Sequence, residues 1–227
     1  MPNKTTIPAS FIVILLSALI AVAANRGSVF ISNIPLFGFV VLLIFVIQWL
    51  VFIPSFINRT EHFFDLTGSL TFMSASLFTL MAIPEIYLRD IVITLLVVVW
   101  ATRLGSFLFF RVRKDGGDGR FDIMKTKFWW FLMTWNIQGM WVFLSLAAGL
   151  AAMTSQNKIE ADIFLVLGTL IWILGFSIEV IADNQKSKFR SDYIVHNLKD
   201  NPWIVFPYEL RELISIDQLK KELKKKG

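Results

Sequence analysis

Arg103, Glu179 and Asp183 lie within or at the ends of apolar stretches, and His62 and Asp65 begin another. A charge at membrane depth costs roughly 2.5–3.5 kcal/mol on insertion scales, so a chain that keeps several is using them together. Glu179 and Asp183 are four residues apart and share a helix face. Such a group could hold a polar ligand or carry ions, or could simply tie helices to one another. Arg103 has bland alternatives in snorkelling to the headgroups or pairing with Asp65, and Asp183 in lying at the interface. Taken singly each residue favours structure; together they favour a site.

A second concentration of chemistry is the run from Arg111 to Asp122, which holds Arg111, Arg113, Lys114 and Arg120 around three glycines. Exposed backbone N–H groups beside positive charge suit a phosphate-bearing ligand. The run lacks the Gly-Lys-Ser/Thr ending of a P-loop, and no strand precedes it as a dinucleotide fingerprint requires. Its bland reading is a solvated loop. Asn136 and Gln138 read as interhelical hydrogen-bonding groups. Gly105, Gly139, Gly149, Gly168 and Gly175 read as close-packing positions.

The elements that must position these residues are membrane spans. Apolar residues make up 56% of the chain and charged residues 17%, against about 25% charged in soluble domains. Apolar runs lie at about Phe11 to Ala24, Pro35 to Ile53, Asp65 to Ile83, Ile91 to Phe110, Phe128 to Ala152 and Ile163 to Ala182, most of them close to the ~20 residues that cross a bilayer. The expected fold is therefore an all-α polytopic membrane bundle of about six transmembrane helices, followed by a cytosolic amphipathic tail. Pro54, Pro84 and Asn25-Arg26-Gly27 punctuate the runs as helix ends. The first run, with Lys4 ahead of it and Ala21, Ala23 and Ala24 at its end, also has the look of a signal peptide, but it is read here as a span. The chain has no Cys, which excludes disulfides, thiolate zinc sites and thiol nucleophiles.

With the N-terminus in the cytosol, eighteen Lys and Arg residues fall on cytosolic segments and three (Arg26, Arg89 and Lys158) on the opposite loops. That bias predicts cytosolic termini. It also accounts for the net charge of +5 without a nucleic-acid partner; the bilayer is the expected one. Arg103, Glu179, Asp183, Asp65 and His62 then converge on the cytosolic side.

Four ordered motifs carry a resemblance. They are Trp100-Ala-Thr-Arg103-Leu-Gly105-Ser106; Arg113-Lys-Asp-Gly-Gly-Asp-Gly-Arg120-Phe121; Phe128-Trp-Trp130 followed by Asn136-Ile-Gln138-Gly139; and Gly175 through Arg190, containing Glu179 and Asp183. Over residues 58 to 192 the chain resembles membrane proteins of unknown function related to steroid 5-alpha-reductases. The resemblance divides the chain into N-terminal spans (1–57), a reductase-like membrane domain (58–192) and a divergent tail (193–227). It implies NADPH-dependent reduction of a carbon–carbon double bond in a lipid-like or steroid-like substrate. The cofactor-facing residues carried over are Glu179, Asp183 and Arg190, with Arg103, Arg113, Lys114 and Arg120 as further cofactor-binding candidates. The steroid reductases themselves have Asn at the place of Glu179. A related superfamily methylates its substrates with S-adenosylmethionine.

The resemblance supplies no catalytic residue. The reductases use a Tyr and a Glu, and here the tyrosines are Tyr87, Tyr193 and Tyr208, with Tyr87 on the far side. Relatives also continue past the place of Asp192 into an Arg-His-Pro-Asn-Tyr-like motif and a further span, whereas this chain continues from Tyr193 into a charged tail. An altered transcript or gene model, or an inactive scaffold, would leave that pattern. The tail repeats apolar residues at helical spacing from Leu210 to Leu223, and its Lys-Lys-Lys-Gly ending fits endoplasmic-reticulum retrieval if the protein is eukaryotic.

Overall fold

A computed structural model describes residues 3–115 and 119–192, with the side chains of residues 3, 112–119 and 186–192 outside the description. The tail therefore lies outside the described residues. The chain divides into two units, Met1–Val180 and Ile181–Gly227.

Among the described residues six long helices follow one another: α1 (Asn3–Ala24), α2 (Leu36–Ile57), α3 (Phe64–Ala82), α4 (Leu88–Asp115), α5 (Phe128–Thr154) and α6 (Ile163–Asp192). All except α3 are long and apolar enough to cross a bilayer. The chain is an all-α polytopic bundle and an integral membrane protein. Short connections make consecutive helices run in opposite directions. One face thus gathers the start of α1, the α2–α3 turn and the α4–α5 connection, and is called the N-terminal face below.

The exception, α3, has a physical cause. It packs against α2, α4 and α5, so its side chains meet protein rather than lipid and small polar residues replace large apolar ones. The hydroxyls of Thr67, Thr71, Ser76 and Thr79 donate to the carbonyl oxygens four residues earlier at 2.6–2.8 Å, so each is satisfied within the helix. A Cβ at Gly105 of α4 would lie 2.6 Å from Ser69 Cβ of α3, a separation only glycine permits. Gly139 and Gly149 are also close-packed, with neighbours 3.1 and 3.2 Å from an added Cβ, but Gly168 and Gly175 have nothing within 4 Å. The close-packing expectation fails for those two because they lie on α6, whose most apolar window buries no residue.

Helix ends follow local chemistry, with one correction. Ile83 precedes Pro84 and is extended at φ −71° and ψ 141°, as the proline ring demands, and α3 stops before it. Pro54 does not end α2, which continues to Ile57. The end comes instead from a Schellman turn in which Arg59 N–H donates to Phe56 O at 3.2 Å and Thr60 N–H to Ser55 O at 2.9 Å. Arg59 takes the left-handed position of that turn, at φ 48°, where glycine is usual. Between α1 and α2, a two-residue hairpin pairs strands β1 (Phe30–Ile31) and β2 (Ile34–Pro35). Ser32 and Asn33 supply the positive φ angles of a two-residue hairpin turn.

Candidate functional site

Trp100, Arg103 and Phe107 form one stripe of α4, at spacings of three and four residues. Arg103 Nη1 donates to Glu179 Oε1 at 2.6 Å, and Trp100 Nε1 donates to Glu179 Oε2 at 3.0 Å. The Arg103 guanidinium also lies over the Phe107 ring, 5.3 Å from its centroid, and Trp100 meets Phe72 of α3 edge-on at 4.9 Å. Both carboxylate oxygens of Glu179 are thereby oriented by donors from one helix. The Arg103 and Glu179 side chains keep 20% and 36% of their exposure, so the pair is reachable. Arg103 thus makes an ion pair with Glu179, a tie the residue types allowed but the spacing did not single out.

Arg120 is exposed in a short 3-10 turn, Gly119–Phe121, next to Phe121, which is buried and packs on Phe64 at 4.9 Å. Asp183 is half-buried on α6, in the second unit. Arg113, Lys114 and Arg190 fall on α4 and α6, but their side chains lie outside the described residues. Asp65 stands in the first turn of α3, and His62 Nδ1 is 3.0 Å from Thr60 Oγ1.

Two ionic clusters went unmarked in the sequence. On the N-terminal face, Lys125 donates to the buried Glu61 at 2.9 Å and lies 3.1 Å from Asp122. Burial alone would lower the Lys125 ammonium, but its hydrogen bonds to Glu61 and Asp122 outweigh this and leave it above the ordinary lysine value.

On the opposite face, Lys158 Nζ donates to Asp90 Oδ2 at 2.9 Å, with side-chain exposures of 12% and 2%. Asp90 also accepts the Tyr87 N–H at 3.0 Å, and Lys158 gives a second bond to Met153 O at 2.5 Å. Beside them Arg89 pairs with Asp162 at 2.8 Å. Asp162 also accepts the Leu165 N–H at the start of α6; that bond first, and then Arg89, hold its carboxyl below the usual range. Asp90 lies one residue before the apolar run from Ile91, so its type and place alone did not mark it.

The interior carries a third arrangement, and here Asn136 and Gln138 act as expected. Asn136 is fully buried; its Oδ1 accepts from Trp49 of α2 at 2.8 Å and its Nδ2 donates to Ser10 of α1 at 2.5 Å. Gln138 donates to Phe64 O at 2.9 Å, and Gln48 of α2 to Thr71 of α3 at 2.9 Å. Above the Asn136 bonds an apolar groove of about 300 Å³ opens between α1, α2 and α5, lined by Ile14, Trp49, Phe52 and Trp129 among others. The amides of Asn136, Gln138 and Gln48 thus serve as cross-helix bonds, and Arg103–Glu179 is a charged pair within the spans that stays partly exposed.

Comparison with known proteins finds one family, described as "Protein of unknown function (DUF1295)", matching residues 51–202. No curated protein and no solved structure matches the chain.

Proposed function

The chain belongs to the DUF1295 family, and from that premise we propose that it is a membrane reductase related to the steroid 5-alpha-reductases, using NADPH to reduce a carbon–carbon double bond in a lipid-like or steroid-like substrate. The observation that supports the reading is the oriented Glu179 carboxylate, held by Arg103 and Trp100 and still partly exposed. A bound nicotinamide cofactor would supply the hydride. The donor set suits such a group. Each oxygen of Glu179 retains a lone pair for a ribose hydroxyl or a carboxamide N–H, and Arg103 keeps that carboxylate ionised and aimed. Arg120, with Arg113, Lys114 and Arg190 by resemblance, offers cations for phosphates.

The reading has both termini, and the polar groups of the N-terminal face, in the cytosol. Its test is NADPH binding to the detergent-purified chain, followed by fluorescence and thermal shift against NADH. Binding that prefers NADPH is expected, weakened at least tenfold in Arg190→Ala or Asp183→Ala. Absence of binding by well-folded protein, or unchanged affinity in both variants, would sink the assignment.

One observation favours a second reading. No residue of the most apolar window of α6 is buried, and within the first unit the bonds of Glu179 to Trp100 and Arg103 fasten that helix to α4. On this reading the cluster is a structural tie in a non-catalytic scaffold. Glu179→Gln separates the two: it keeps the side chain's size while removing the charge and one of the two acceptors. A scaffold should lose stability without any NADPH response to lose.

A further inference from the structure

We infer that the groove between α1, α2 and α5 is a binding site for an anionic phospholipid of the bilayer, one acyl chain lying in the groove and the headgroup held by Lys4, Arg59 and Lys127. The groove volume of about 300 Å³ is at the lower end of the range for specific ligand pockets, and its walls are almost wholly apolar. Its floor cannot close, because the Ser10–Asn136–Trp49 bonds hold the three helices at a set spacing.

Charge at the mouth selects the occupant. Each of the three helices that wall the groove carries a cation where it meets the N-terminal face. Lys4 lies in the first turn of α1, six residues and so about 9 Å along the helix before Ser10. Lys127 immediately precedes Phe128 of the groove wall and lies over the Trp130 ring at 5.6 Å. Arg59 follows the end of α2 one turn beyond Phe56, whose ring meets Phe128 at 5.1 Å.

All three are exposed, and none makes an ion pair among the described residues. Nearby Lys125, in contrast, is occupied by Glu61 and Asp122. Three unpaired cations around the open end of an apolar groove complement a phosphate head on a hydrocarbon chain. Arg59 holds its place at a backbone conformation that favours glycine, which places a charge where the turn itself needs none.

The test reconstitutes the full chain into nanodiscs of equimolar phosphatidylcholine and phosphatidylglycerol. Lipid is then stripped with detergent, and what each chain retains is read by native mass spectrometry. One retained phosphatidylglycerol per chain is expected, favoured over phosphatidylcholine by at least tenfold. Each cation near an anionic headgroup contributes about fivefold, so Lys127→Gln alone should cost about that factor. Arg59→Gly suits the turn while removing the cation, and the triple variant with Lys4→Gln should lose the preference altogether. Ile53→Trp, which fills the groove from an exposed position, should lose both lipids. Arg26→Gln removes one charge from the opposite face and should change nothing.

Retention of both lipids in the proportions supplied would overturn the proposal. So would a preference that survives the triple variant, a groove-filled variant that retains lipid, an equal loss in Arg26→Gln, or a dimer that retains no lipid.

Discussion

Removing the Lys158 ammonium tests whether the ionic cluster opposite the N-terminal face holds the bundle together. In Lys158→Met the hydrocarbon stem survives but Asp90, with 2% of its side chain exposed, loses its counter-ion. Removing one partner of a buried pair costs about 3–5 kcal/mol, because the remaining charge is left in poor solvent. Two features reduce that figure here. Asp90 still accepts the Tyr87 N–H at 3.0 Å, and it sits in the first turn of α4, where the helix N-terminus favours an anion by about 0.3–1 kcal/mol. Against this, Met153 O loses its bond from Lys158, worth about 1 kcal/mol. The net expectation is a loss of about 3 kcal/mol.

Asp90→Asn should cost less, about 1–2 kcal/mol, since the longer lysine can reach water. The double variant Asp90→Asn with Lys158→Met should be more stable than Lys158→Met alone, because no uncompensated charge remains. The assay is reversible unfolding of the detergent-purified protein in denaturant, followed by far-ultraviolet circular dichroism. A Lys158→Met protein within 0.5 kcal/mol of wild type, or a double variant as unstable as the lysine variant, would refute the reasoning.

Three further expectations follow from single contacts. Gly105→Ala should destabilise by about 1–3 kcal/mol, since its Cβ would sit 2.6 Å from Ser69 Cβ, whereas Gly168→Ala in open space should be neutral or slightly stabilising; equal thermal shifts in the two would contradict the α3–α4 packing. The raised Lys125 pKa means that its tie to Glu61 contributes fully below the ordinary lysine value and is lost as pH rises through the higher folded value. Wild type should therefore lose stability above about pH 10.4 more steeply than Lys125→Met, and parallel curves would show that the tie contributes nothing. Because the chain lacks cysteine, Lys127→Cys and Asn157→Cys report orientation cleanly. In sealed vesicles a membrane-impermeant maleimide should label the two from opposite sides, Lys127→Cys from the cytosolic one, and labelling of both from one side would be incompatible with the bundle.

The sequence by itself determined the helices. Hydrophobic runs marked all six to within a few residues at most ends, because apolar length is the requirement a bilayer imposes and each helix satisfies its own backbone. It also marked Asn136, Gln138, Gly105, Gly139 and Gly149 as interhelical positions, since a polar or very small residue in an apolar run has few other uses. It left open which charges meet. Arg103 had acidic candidates on more than one helix, and only the placement of α6 beside α4 gave it Glu179, 76 residues away.

The same holds for Asp90 and Lys158, 68 residues apart. Each reads as an ordinary loop-end charge until the folded chain encloses them together. Nor does hydropathy reveal that α3, which lacks a window apolar enough to span, is packed on three sides while α6, which has one, buries none of it. Hydropathy reports how well a segment tolerates lipid, whereas the choice of neighbours depends on shape and pairing between segments distant in the chain, and those exist only once the bundle is assembled.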